Sequence, residues 1–292
     1  MSNPWQAPSG QIAPPEPEKE SPRRKIGKTA GGIAVAIAAL FAKFKFLLFA
    51  LLKFKYVLYF GKFGLTALSF VASIWFYALF FGPKFAIVFV LLIAIHEVGH
   101  VIFVRGFGLS APAVFFLPGF GAFTTWRDPP RSVYQESVIA FGGPLLGMLG
   151  GVACAAYGYA THEPFWYACA NAAFFLNLFN MIPLGFFDGG RMTGAISPAL
   201  WIVGFVAVIV AAVAFHWWSP ILLIVVLLSI PRAVKAFRGQ LGPRYYGVPA
   251  AQRMMVAVAY FGLLAALVAG LVSTRVALPG QNIPGAIHAT YT

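Results

Sequence analysis

Residues 95–103 read IHEVGHVIF and lie in an apolar run that begins near Phe85 and holds no other charged residue before Arg105. His96 and His100 are four residues apart, so on a helix both imidazoles leave one face and can bind a single zinc ion. Glu97 can reach a metal-bound water without being a ligand, the place of the general base in an H-E-x-x-H pattern. Ionisable groups inside an apolar span are costly and mark a functional site by default. A purely structural Glu–His pair would need no second histidine at this spacing.

Two histidines leave a zinc site one protein ligand short. The chain has eight acidic residues, of which Glu16, Glu18 and Glu20 fall in a polar N-terminal segment. Asp128, Glu136 and Glu163 sit in or beside polar connections, where a solvated surface role is expected. Asp188 is left, in NMIPLGFFDGGR just past a later apolar segment. Asn180 and Pro183 would break the helix before it, while Gly189 and Gly190 let the backbone approach a metal closely. On its own this stretch has an ordinary helix-end cap as its less favoured alternative.

The 292 residues are 60% hydrophobic and only 10% charged, with a mean hydropathy of +0.81. That composition excludes an ordinary soluble domain and makes the bilayer the solvent. The net charge of +13 is spread through short segments flanking apolar runs, which argues against nucleic-acid binding and for a positive-inside bias. Cys154 and Cys169 fall inside apolar segments and read as packing residues.

Apolar spans are expected at about 64–82, 85–104, 137–160, 165–184, 198–215, 218–231 and 252–273. With a cytosolic N-terminus, the basic segments Arg105–Arg131, Arg191 and Arg232–Arg253 all fall inside, and both His96–His100 and Asp188 come to the inner ends of their spans. Residues 1–30 are rich in proline and charge and are expected to be a disordered cytosolic tail. Residues 31–62 carry scattered lysines and are expected to form interfacial or membrane-associated helices. A core follows over 63–250, then an additional C-terminal transmembrane helix over 251–276 and a flexible tail over 277–292. Between the second and third spans, GFGLSAPAVFFLPGFGAFTTWRDPPRS is too rich in Gly and Pro for a helix yet largely apolar. It predicts a re-entrant β-hairpin over 113–124, turning near Pro118 and Gly119. The expected fold is an all-α polytopic bundle of six to seven transmembrane helices carrying that hairpin and the N-terminal interfacial segment.

The chain resembles the site-2 protease family of intramembrane zinc metalloproteases. H96-E-V-G-H100 corresponds to that family's H-E-x-x-H, and N180-M-I-P183-L-G-F-F-D188-G189 to its N-x-x-P-x-x-x-x-D-G, with Phe187 in the place of the common Leu. Phe141 to Gly147, FGGPLLG, is similar to the family's Gly-Pro element. The resemblance implies His96, His100 and Asp188 as ligands of one zinc ion per chain, Glu97 as catalytic acid/base, and Asn180 and Gly189 as substrate-positioning residues. It also implies a transmembrane protein or peptide substrate and an integral multi-pass protein of a bacterial cytoplasmic membrane.

No polar stretch is long enough for a PDZ or nucleotide-sensing module, so selectivity is expected to rest on the core, the lysine-rich segment or a separate partner. Gly142, Gly143 and Gly147 suit either close helix packing or a site lining without side-chain bulk. His162, His216 and His288 are expected to have no role in the site. A catalytically silent, membrane-protein-binding relative is the alternative, though the presence of Glu97 and three ligand candidates speaks against it. A metal transporter would need polar residues along several spans, and these are missing.

Overall fold

The computed structural model describes residues 62–110, 113–125, 128–214, 220–238, 243–277 and 287–288. The tail expected over 1–30, all but the last residue of the interfacial helices expected over 31–62, His216 and most of 277–292 lie outside the described residues. Helices α1 (Lys62–Phe81) and α2 (Pro83–Gly106) meet at Gly82. Its φ of 79° is a left-handed value that glycine adopts without penalty, and Pro83 then opens α2 where a missing N–H costs nothing. Strands β1 (Ala113–Leu117) and β2 (Gly121–Thr125) follow as a small antiparallel sheet. The glycine-rich connection supplies positive φ at Gly119 and Gly121.

Helix α3 (Val133–Thr161) starts at Ser132, whose hydroxyl accepts from the Gln135 amide at 3.2 Å. Helix α4 (Pro164–Asn180) ends in an irregular turn over 181–187, and α5 (Asp188–Ile196) begins on the aspartate itself. Helices α6 (Leu200–Ala214), α7 (Pro220–Phe237), α8 (Pro243–Tyr246) and α9 (Ala250–Ser273) complete the helical part. A two-residue parallel bridge joins β3 (Val276–Ala277) and β4 (Ile287–His288).

A helix occupies each of the seven expected spans, but among the described residues four are long and apolar enough to cross a membrane: α1 from Gly64, α2, α3 and α9. Helix α6 is apolar but has only 15 residues. Helix α4 stops at Asn180, short of the expected 184, because Pro183 and the following turn divert the chain into the separate helix α5. The span expected over 218–231 is short unless tilted or extended past Pro231, and helix α7 does continue through that proline to Phe237.

The core is built around α3, which packs against α2, α4, α5 and α9. Cys169, Ala170, Ala173 and Phe174 of α4 meet Val256, Tyr260, Leu263 and Leu267 of α9 in one apolar cluster. Cys154 and Cys169 are buried free thiols, as their apolar settings suggested. A second cluster joins Tyr77 of α1 and Ala86, Val90 and Ile93 of α2 to Phe116 of β1, and this fixes the sheet against the first two helices.

The α2–α3 contact depends on missing side chains. A Cβ on Gly99 would lie 2.1 Å from the Gly142 carbonyl oxygen, and one on Gly142 would lie 2.7 Å from the Gly99 oxygen. Backbone cannot yield as a side-chain tip can, so the two helices can meet this closely only through glycine. Replacing Gly99 by valine should therefore force α2 from α3 and cost at least about 2 kcal/mol. Thermal unfolding in detergent should show a large drop for Gly99→Val and little change for Gly106→Ala, whose added methyl meets nothing within 4 Å.

Candidate metal centre

His96 and His100 stand one turn apart on α2 and share its buried face, with Glu97 buried beside them. Asp188, the first residue of α5, meets them there. His96 Nε2 lies 3.2 Å from Asp188 Oδ2, His100 Nε2 lies 3.3 Å from the same oxygen, and the two Nε2 atoms are 3.2 Å apart. Among the described residues these three form the group placed to hold a metal ion. The expectation that Asp188 shares a site with the H-E-x-x-H helix is thus met in space.

The partners of the other ring nitrogens decide what the facing nitrogens can do. Asn177 of α4 commits its Nδ2 to the Ala173 carbonyl at 2.8 Å, which leaves Oδ1 to face His96 Nδ1 at 2.7 Å. His96 Nδ1 therefore carries the proton, and its Nε2 presents a lone pair. His100 Nδ1 donates to the Ile139 carbonyl of α3 at 2.9 Å, with the same consequence. Two lone pairs and a carboxylate oxygen thus converge in a buried space. Such a group needs a proton or a cation at its centre.

The spacing suits a cation. Ligand bonds of about 2.0–2.2 Å in a tetrahedral site put neighbouring ligand atoms about 3.3–3.5 Å apart, close to the three observed separations.

Room for the centre comes from α3. A Cβ on Gly143 would sit 2.3 Å from His100 Nε2 and 2.8 Å from His96 Nε2, so any larger residue would fill the place where the ligand atoms converge. Gly147 performs the same service for Asn177, whose Oδ1 would be 2.1 Å from its added Cβ. The two roles left open for these glycines divide by position: Gly142 packs helices, while Gly143 and Gly147 clear space around the site.

The short helix α5 is held from several sides, since nine residues have little helical stability alone. Trp201 Nε1 donates to the Gly190 carbonyl at 2.7 Å, and Thr193 Oγ1 to that of Gly189 at 2.8 Å. Tyr260 of α9 donates to Met181 O at 2.8 Å, fixing the preceding turn, and Arg253 reaches the Ile196 carbonyl at 3.1 Å. Gly189 and Gly190 press against backbone: added Cβ atoms would lie 2.0 Å from Met181 O and 1.8 Å from Leu184 O. Their smallness lets the 181–187 turn fold onto α5 and thereby sets the place of Asp188.

Asn180 lies at the last position of α4 and is half-buried, whereas Asn177, one turn earlier and fully buried, is the asparagine that contacts His96. The sequence reading passed over Asn177; its signal was an amide inside an apolar helix, three residues before one already singled out. The expectation of a solvated Glu136 is overturned. Its side chain is buried at the start of α3, accepts from Arg232 of α7 and Tyr245 of α8, and lies 3.8 Å from Arg191 of α5. Burial would lower the Arg232 guanidinium, but Glu136 beside it more than compensates and raises it, while burial and Glu136 together push up the Tyr245 phenol. The partners come from residues far along the chain, so local polarity gave no hint of them. Asp128 and Glu163 are exposed as expected, the first accepting from the Ser110 amide at 3.1 Å and the second 3.9 Å from Lys84.

The catalytic candidate Glu97 has one further contact, also unforeseen: Thr124 Oγ1 of β2 donates to its Oε2 at 2.5 Å. The small sheet therefore reaches the acid beside the metal centre. Comparison with protein-family models, with curated proteins and with solved structures finds no match to this chain. What the folded chain defines is a membrane protein, mostly helical, with a buried His–His–Asp centre able to hold a metal and a glutamate at its side.

Because Asn177 fixes the His96 tautomer, its loss should weaken metal binding without removing a ligand. Asn177→Leu should lower the affinity for a divalent metal by about 10- to 100-fold, read by chelator competition on purified protein. An unchanged affinity would show that the hydrogen bond does not orient the ligand.

Proposed function

We propose that the chain is an intramembrane zinc metalloprotease of the site-2 protease type, hydrolysing a peptide bond within or near a transmembrane segment. The observation that carries the reading is the convergence of two Nε2 lone pairs and an Asp188 oxygen beside Glu97, with both histidines and the glutamate on α2, a helix long enough to span a bilayer. The donor set of two imidazoles and a carboxylate suits zinc and leaves a coordination position for water or substrate. When bound, zinc supplies Lewis acidity that polarises the scissile carbonyl and makes water nucleophilic near neutral pH.

The remaining steps belong to the chain's own residues. Glu97 takes the proton of the attacking water and returns it to the leaving amine. Thr124 holds one carboxylate oxygen of Glu97, which leaves the other outside that bond. Asn177 and the Ile139 carbonyl keep both histidines in the ligating tautomer. Asn180 and Gly189, at the ends of the 181–187 turn, are the candidates for contacting substrate near the metal.

A transmembrane helix must unwind before its peptide bonds can be attacked, and the sheet offers an edge to hold the extended chain. On β1 two of the outward main-chain groups are already engaged: Val114 O accepts from Thr66 Oγ1 at 2.7 Å, and Phe116 N donates to Ser69 Oγ at 3.1 Å. In an antiparallel pair, the residues opposite these, Thr124 and Ala122, turn their own N–H and C=O groups to the free side of β2. The β2 edge is the one available for β-augmentation.

The decisive comparison is wild type against Glu97→Gln, with bound zinc and cleavage of membrane-spanning peptides in vesicles both measured. The variant should keep about one zinc per chain and lose cleavage by at least about 100-fold; equal cleavage by both proteins would sink the reading. Ala122→Pro removes an outward N–H from the β2 edge without disturbing β1. It should lower cleavage about 10-fold or more at unchanged zinc content, and undiminished cleavage would exclude strand addition at this edge.

A further inference from the structure

A pocket of about 340 Å³ opens between α1, α2 and β1, and Glu97 forms part of its wall. Its other surfaces are apolar, chiefly Ala67 and Phe70 of α1, Ala94 and Val98 of α2, and Phe116 of β1. Ala67 and Val98 are exposed on the outer faces of spanning helices, so the mouth opens to the side that lipid would cover, while the inner end reaches the acid. Neither cluster of packed core residues fills it.

From this geometry we infer that the pocket is a specificity subsite that takes one large apolar side chain of the substrate, adjacent to the bond that Glu97 serves. The inference rests on the protease reading above and adds to it a residue preference. Three features favour a peptide side chain as the occupant. On the β1 wall Thr66 and Ser69 occupy Val114 O and Phe116 N, so a continuous ladder cannot form there and the wall offers chiefly side-chain contacts. The free strand edge lies on β2, whose Thr124 touches the same glutamate.

The third feature is the face of the sheet. Val114 and Phe116 are paired with Thr124 and Ala122, and all four side chains stand on one face, since residues paired across strands share a face and alternate residues repeat it. Val114 and Phe116 line the pocket. A peptide added to β2 would put every second side chain on that face, toward the pocket, and the residues between on the opposite face with the stacked Phe115 and Phe123 rings. The strand edge would set the register and the pocket would select the residue.

The test needs no known substrate. Wild-type protein in vesicles is presented with a library of membrane-spanning peptides randomised over the central residues, and the cleaved bonds are read by mass spectrometry. Leu, Met or Phe should be enriched at one fixed position within two residues of the cleaved bond. Ala94→Phe fills the pocket from α2 and should shift that position to Ala, Gly or Ser, with kcat/KM for a Leu-bearing peptide falling roughly 10- to 100-fold. Ala67→Phe, at the exposed mouth, should act in the same direction and guards against a folding defect in the first variant. An identical residue distribution in wild type and both variants would overturn the proposal.

Occupancy is read independently of cleavage. A spanning peptide carrying a diazirine leucine is irradiated with zinc-loaded Glu97→Gln protein, and the labelled segments are mapped. Labelling of α1 and α2 around Phe70, Ala94 and Val98, lost in the Ala94→Phe background, supports the pocket even if wild type cleaves no peptide, in which case the protease reading alone fails. Cleavage by wild type with labelling confined to other surfaces would overturn the pocket and leave the protease reading standing.

Discussion

Two imidazole nitrogens and one carboxylate oxygen meet within 3.3 Å in a largely apolar interior, and much of the surrounding architecture serves to bring them there and keep them there. Each is an acceptor, so their proximity is repulsive until something positive lies between them, and burial removes the water that would soften that repulsion. The structure does not avoid the conflict; it enforces it. Asn177 and the Ile139 carbonyl occupy the outer ring nitrogens, so neither imidazole can escape by changing tautomer. Binding energy for a cation is thus built into the fold before any cation arrives.

Holding that arrangement requires backbones to come closer than side chains normally permit. Gly99 and Gly142 bring α2 and α3 together, Gly143 leaves the volume in which the ligand atoms converge, and Gly189 and Gly190 fold the 181–187 turn against α5. Lipid offers no hydrophobic drive for helix association, so tight packing and hydrogen bonds between helices carry more of the work. The bonds from Trp201, Tyr260 and Arg253 to the backbone around α5 are of this kind. The buried Glu136 pairs with arginines of α5 and α7 and so joins those helices to the start of α3.

The metal centre is only half of the candidate site. The antiparallel sheet is fixed to α1 by Thr66 and Ser69 and touches Glu97 through Thr124. Two outward groups of β1 are engaged by α1, and the apolar pocket lies on the face of the sheet that Val114, Phe116, Ala122 and Thr124 share. In the proposed function, the β2 edge is the direction from which an extended chain would reach the acid. A nine-residue helix and two five-residue strands, each marginal alone, act here because long apolar helices hold them.

By itself the sequence determined the membrane setting, the position of the helices, the glycine-rich turn between β1 and β2, and three ligand candidates with a glutamate at a set offset. These are read locally: apolar length, helical spacing and the conformational freedom of glycine depend on neighbours along the chain. Asp188 could be reached by elimination because acidic residues are so few. Only the tertiary structure decided that Asn177 and not Asn180 contacts His96, that Glu136 is buried among Arg191, Arg232 and Tyr245, that α4 gives way to a separate α5, and that Thr124 meets Glu97. Each of these depends on partners 27 to 109 residues apart or on a turn that packing selects. A residue's type and spacing state what it can offer; which group accepts the offer is set where helices cross.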